Sequence, residues 1–161
     1  MIRKTWAATL LLAGTLAFTG CKKDEPAAPK SLYDRLGGVN AISAVVDQFM
    51  LNVAADPKMA RTFAPLVQDV VKNGGDPAKS TRFQSLRNNL IDQIGQASGG
   101  PQTYKGKDMV TAHKGMAITD DEFNSLVNDL VASLNKFNVP STEQTELLTV
   151  LGGLKPQIVG K

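Results

Sequence analysis

The feature that most constrains this chain is the spacing of its apolar residues. From Ser31 onward they recur three and four positions apart, and no segment sustains the alternation of a strand. Phe83, Leu86, Leu90, Ile94 and Ala97 form one stripe, and Phe123, Leu126, Leu130, Leu134 and Phe137 form another. Residues spaced in this way share one face of a helix, whereas neighbours in a strand alternate faces. The pattern therefore predicts an all-α domain whose helices bury one stripe each.

The breaks between stripes set the helix boundaries. "SLYDRLGG" opens with a capping serine and closes on Gly37 and Gly38, and a second helix follows with Ile42, Val45, Val46, Phe49 and Val53 on one face. "ADPKMARTFAP" predicts a short turn begun at Asp56 and Pro57 and anchored by Phe63, and "LVQDVVKNGGDPAKS" predicts another before Gly74 and Gly75. "SGGP" at 98–101 ends the long helix that follows. Thr119 with Glu122 makes a capping-box pattern, Gln144 stands three residues after Ser141, and Leu147, Leu148, Leu151 and Leu154 line the last helix. With 161 residues and 42% hydrophobic content, the chain suits one domain with a real core.

The first residues read differently. "MIRKTWAATLLLAGTLAFTGC" has a basic start at Arg3 and Lys4, an apolar run from Trp6 to Phe18, and small residues before Cys21. That layout predicts an export signal over residues 1–20, and its apolar run is shorter than the roughly 20 residues that span a bilayer. "FTGC" resembles the lipobox of bacterial lipoproteins, which implies a lipidated Cys21 as the mature N-terminus and a membrane anchor at the cell envelope. Residues 21–30, with "KKDEPAAPK", read as a flexible tether ahead of a domain spanning 31–161. Removing Arg3 and Lys4 turns 18 basic and 15 acidic residues into 16 and 15. A nearly neutral chain without an aromatic-interleaved basic cluster is a poor partner for nucleic acid. One cysteine also excludes a disulfide within the chain.

The chain holds one histidine, in "DMVTAHKGMAIT". Met109, Ala112, His113 and Met116 fall on one face of a short helix, so an imidazole stands among soft apolar groups. Such a ring is either a structural histidine bonded to a carbonyl or a ligand. A zinc cage needs further His or Cys ligands that are missing here, and no G-x-S-x-G elbow supports a hydrolase. Haem brings four nitrogens of its own and asks the protein for a single axial imidazole in an apolar crevice.

"YKGKDMVTAHKGMAIT", taken with "LYDRLGG" and "SGGP", resembles the group 1 truncated haemoglobins from about Ser31 to Ile158. The resemblance implies a two-over-two helical sandwich around non-covalent haem b, with His113 as the proximal ligand to iron and its other ring nitrogen donating to a carbonyl or water. It implies that Phe63 wedges against the haem and that Met109, Ile118, Phe123 and Leu126 line the proximal side and floor. Lys107 or Lys114 is implied as a partner for a haem propionate. On the distal side, the family's tyrosine position is Met50, and its facing polar positions are Leu86 and Leu90, with Asn89 and Gln93 the nearby polar groups.

The resemblance implies reversible binding of a diatomic gas, oxygen, carbon monoxide or nitric oxide, and the apolar distal side implies fast oxygen release. Two alternatives accompany it. One is haem-based electron transfer or redox sensing with a redox partner, in which Met50 acts as a sixth ligand. The other is nitric oxide dioxygenation with a reductase, which an apolar pocket disfavours.

Overall fold

The structure is a computed structural model that describes residues 29–161. The export signal, Cys21 and all but the last two residues of the tether lie outside the described residues.

Seven α-helices follow one another: α1 (Leu32–Arg35), α2 (Gly38–Ala55), α3 (Ala60–Lys72), α4 (Thr81–Ala97), α5 (Met109–His113), α6 (Asp120–Lys136) and α7 (Ser141–Gly152). Ser31 caps α1 by accepting from the Asp34 amide. At the next turn Gly37 takes φ +92°, where a side chain would be strained and a Cβ would crowd Ala41. α2 buries Ile42, Val45, Val46, Phe49, Met50 and Val53, packing on α4 beside it and on α6 beneath it. α4 in turn lies on α7 and α6 contacts α7, so two helix pairs are stacked, as the two-over-two arrangement requires.

Three local expectations need correction. Residues 60–72 are one helix rather than two separate turns. Pro65 removes the hydrogen bond to the Arg61 carbonyl, but Phe63, Leu66 and Val70 form an inward stripe whose burial outweighs that single loss. The helix stops where the Gly75 amide reaches the Val70 carbonyl. Phe137 is 43% exposed instead of buried, because α6 has ended one residue earlier. Ser141 makes no cap, since α7 begins one residue earlier than expected, with Pro140 at the capping position. Gln144 donates instead to Asn135 Oδ1 and the Val139 carbonyl, closing the loop between α6 and α7.

The buried apolar residues divide into two clusters. The larger joins α2, α3, α4, α6 and α7 and includes Val46, Met50, Ile91, Leu134 and Leu147. The smaller comprises Met109, Ile118, Phe123 and Ile158, with Tyr104, Met116 and Leu154 packed against it. α5 belongs to the smaller cluster, and its main neighbour is the turn Lys155–Gln157. The site lies along this division.

Candidate functional site

α5 has five residues, too few to be stable alone, so its ends must be fixed from outside. Asp108 caps it, its Oδ1 accepting from the Thr111 amide at 2.9 Å. Hydrogen bonds from the Thr111 side chain and backbone hold the Asp108 carboxyl below the usual carboxylate range. At the other end, His113 Nδ1 lies 2.7 Å from the Met109 carbonyl oxygen. A carbonyl can only accept, so Nδ1 carries the proton and, in the neutral ring, the lone pair is on Nε2. Among the described residues no protein group bonds Nε2. The half-buried ring is thus oriented by its own helix and keeps one nitrogen for a ligand.

Beside α5 opens a cleft of about 330 Å³, walled by α4, the 104–108 loop, α5 and α7. Gln93, Tyr104, Met109, Val150, Leu151 and Leu154 line it. Its volume falls within the range of small-molecule and cofactor sites, roughly 300–1,000 Å³. Val150 is 45% exposed here, an apolar side chain left in the open on the cleft wall. By contrast, the void inside the larger cluster is about 10 Å³ and holds no more than a water. The Gln93 side-chain amide reaches across from α4 to Met109 Sδ at 3.4 Å, a weak contact that ties the two walls.

Tyr104 anchors the loop wall. Its hydroxyl donates to the Lys107 carbonyl at 2.7 Å, its amide donates to Gln96 Oε1 at 2.6 Å, and burial followed by the Asp108 charge pushes its phenol up from the ordinary value. Gly106 passes directly under this ring, so that any Cβ there would collide with the Tyr104 hydroxyl.

The structure places the sequence-predicted residues on both sides of the division. Met109, Ile118 and Phe123 are buried together in the smaller cluster with α5. Met50, Phe63, Leu86, Leu90 and Leu126 belong to the larger one, Met50 at 4% exposure. Lys107 and Lys114 are exposed. Tyr104 is legible as part of a motif but not as a wall residue, Leu151 and Leu154 read only as a helix stripe, and Val150 falls off that stripe. Their joint position depends on where α7 ends against α5, which no local spacing encodes.

The segment after His113 is fixed by long-range bonds. The Met116 amide donates to the His113 carbonyl at 3.0 Å, Ala117 adopts φ +47°, and Ile118 forms a parallel bridge with Val159. Arg61 on α3 donates to the carbonyls of Met116 at 2.9 Å and Ala117 at 3.3 Å, and both oxygens of Glu122 accept from it at 2.7 Å. Glu122 also closes the capping box on Thr119. Arg61 first, then the Thr119 amide, brings its carboxyl down to about 2.

Among the described residues no three His, Cys, Asp or Glu side chains group to hold a metal ion. The donor set is one half-buried imidazole with an unbonded Nε2, on the same short helix whose Met109 lines the cleft, and a single imidazole suits a metal already ringed by its own equatorial nitrogens. Haem fits these residues, and with a single cysteine the chain has no C-x-x-C-H sequence to attach it.

The family profile described as bacterial-like globin matches residues 31–159. The group 1 truncated hemoglobin GlbN of Mycolicibacterium paratuberculosis is 30% identical over 132 residues, covering 82% of this chain and 86% of that protein. The group 1 truncated hemoglobin of Tetrahymena pyriformis is 29% identical over 133 residues, covering 83% of this chain and 98% of its own. The crystal structure of the Tetrahymena pyriformis truncated hemoglobin in the Fe(III) form superposes with a TM-score of 0.69, at 29% identity, covering 82% of this chain and all of that one. By sequence, by fold and by the cofactor its residues fit, the chain belongs to the bacterial-like globins as a group 1 truncated haemoglobin, whose cofactor is non-covalent haem b.

Proposed function

We propose that the protein reversibly binds a diatomic gas through haem iron held by His113. The observation that carries this reading is the His113 ring, fixed at Nδ1 by the Met109 carbonyl with Nε2 left for a metal. When bound, haem supplies the iron site at which a diatomic ligand is captured. The chain supplies the rest: His113 holds the iron, Tyr104, Met109, Val150, Leu151 and Leu154 cover apolar surface, and Phe63 and Phe123 contribute one aromatic from each cluster.

Ligand preference follows from the family's distal positions, where the Gln93 amide nearby is turned to Met109 Sδ. Met50, Leu86 and Leu90 carry no hydrogen-bond donor to offer a gas. A ligand that gathers negative charge forgoes a charge-assisted bond of about 1.5–3 kcal/mol, roughly a tenfold to hundredfold loss in retention. Oxygen is therefore released fast and carbon monoxide, less polar when bound, is penalised less. Nitric oxide dioxygenation, which needs tightly held oxygen and a reductase, is disfavoured on the same ground.

The test is the absorption spectrum of the protein mixed with haem, ferric, ferrous and with carbon monoxide, beside His113→Ala. A stoichiometric complex whose histidine-ligated spectrum disappears in the variant supports the reading. No saturable uptake sinks it. A ferric spectrum of methionine ligation would turn the reading to electron transfer through Met50 with a redox partner.

We propose further that the protein is exported and anchored by lipid on Cys21, which rests on the order of residues 1–21 alone. The mass of the mature N-terminal peptide tests it. An unmodified Met1 or a free Cys21 thiol would refute it.

A further inference from the structure

We propose that Arg61 is a positioning residue for His113, acting through the strap that joins α5 to α6. The inference rests on the reading of His113 as the iron ligand and goes beyond it to a side chain on a different helix, 52 positions away in sequence.

A five-residue helix such as α5 cannot hold a ring in place by itself, because its own hydrogen bonds do not offset the entropy of ordering it. The N-terminal end is tied by Asp108 and the 104–108 loop, whose anchors are local. The C-terminal end has one local bond, from the Met116 amide to the His113 carbonyl. After His113 the chain turns at Gly115 with φ +79°, then passes through Ala117 at φ +47°, a conformation unfavourable for a residue with a side chain. Something outside the strap must hold it there.

Arg61 does so on one side. Met116 is the common link: its amide donates to the His113 carbonyl, and its own carbonyl accepts from Arg61. The same guanidinium reaches the Ala117 carbonyl, so two successive peptide groups of the strap are gripped by one planar fork. The fork is itself aimed by Glu122 at the start of α6, which accepts from it through both oxygens and also accepts from Thr62 and Thr119. Arg61 and Thr62 on α3, the strap, and the α6 cap thus form one hydrogen-bonded unit next to the histidine.

Charge alone does not account for this arrangement. The Lys58–Asp121 pair joins nearby segments at 3.0 Å, yet Lys58 reaches no carbonyl of the strap. Among the described residues Arg61 alone ties α3 and α6 to the segment that follows His113, whose other long-range bonds, from the Ala117 amide to the Lys161 carbonyl and from the Gly160 amide to the Ile118 carbonyl, run to the C-terminal residues.

The experiment uses the full chain in two forms. In the haem-free protein, hydrogen exchange is measured at the amides of residues 116–118. In the haem-loaded ferrous protein without gas, the iron–histidine stretching band is measured by resonance Raman. Arg61→Ala is expected to speed exchange at these amides at least tenfold and to shift or broaden the band. Lys58→Ala, the control for loss of a surface charge, is expected to change neither.

If Arg61→Ala does not fold, Arg61→Lys replaces it, keeping the charge but losing the fork, and the same two readouts decide. A folded Arg61 variant with wild-type exchange and a wild-type band overturns the proposal directly. Absence of the band from the wild-type protein overturns it through its premise, and so separates failure of the ligation reading from failure of the Arg61 argument.

Discussion

The Nδ1 of His113 and the carbonyl oxygen of Met109 are 2.7 Å apart within one turn of the same helix, so the residue that lines the cleft also fixes the tautomer of the ring beside it. This backbone bond survives any change of the Met109 side chain that keeps α5 helical. Replacing the histidine by a smaller residue should therefore leave a gap that a free imidazole can fill. His113→Gly with added imidazole is expected to regain a haem spectrum close to that of the wild type, at millimolar imidazole. Recovery that is equally strong without imidazole would show that the ring is not the ligand.

Polarity can be introduced at the positions on which the proposed ligand preference rests. Leu90→Gln or Met50→Tyr puts a donor in place of an apolar side chain, and each is expected to slow oxygen dissociation by roughly tenfold to hundredfold, the equivalent of about 1.5–3 kcal/mol. Carbon monoxide dissociation should change far less. Stopped-flow ligand replacement measures both, and unchanged oxygen release in both variants would contradict the apolar-pocket account.

Glu122 gives the fold a carboxylate whose titration can be followed. Its folded value, about 2, is below the unfolded 4.5, so its contribution is fully present above pH 4.5 and is lost as pH falls through about 2. Glu122→Gln should lower stability at neutral pH and flatten the pH dependence between about 4.5 and 2. Removing the other half of the box with Thr119→Ala should cost about 1 kcal/mol, as helix caps do. Urea unfolding across this pH range checks both, and parallel wild-type and Glu122→Gln curves would refute the assignment.

Asp129 has the opposite sign. Burial first, and the Asp56 charge second, push its carboxyl up from 3.8, and its Oδ2 is buried without a hydrogen-bond partner. A raised folded value favours the fold below pH 3.8, and this advantage is lost as pH rises through the folded value. Asp129→Asn is therefore expected to raise the melting temperature at pH 7 and to have no effect below about pH 3.8. A gain of equal size at pH 3 would assign the effect to packing instead.

Gly106 tests the cleft wall. A methyl group there collides with the Tyr104 hydroxyl, so Gly106→Ala must displace the ring and break its bond to the Lys107 carbonyl. Loss of haem to an apomyoglobin acceptor should accelerate, about tenfold, while the helical circular dichroism stays unchanged. An unaltered loss rate would mean that Tyr104 does not close the site.

Much of this molecule is legible in its sequence because the signals are periodic or local. The stripes of α2, α4 and α6 and the Thr119–Glu122 cap follow from spacing within a turn or two, and the histidine stands out because it is alone. The full length of α3 was not legible, since Pro65 reads as a stop when its neighbours' burial is unknown. The cleft wall was hidden for a different reason. Leu151 and Leu154 look like any helix stripe until the chain returns to α5, and Arg61 looks like a solvated cation until its partners are seen 55 to 61 residues away.

The division of the interior into two clusters also bears on how the protein comes apart. Four buried side chains, Met109, Ile118, Phe123 and Ile158, are a thin basis for a cooperative unit, and the helix they support has only five residues. On heating without cofactor, this quarter of the domain is expected to open first, as a separate melting step, while the helices around Val46 and Leu134 persist. A ligand that binds only the closed form pulls that step upward by mass action until the two merge. Proteases are therefore expected to cut the haem-free chain first within residues 104–119, and resistance to cutting there is expected to mark a loaded protein.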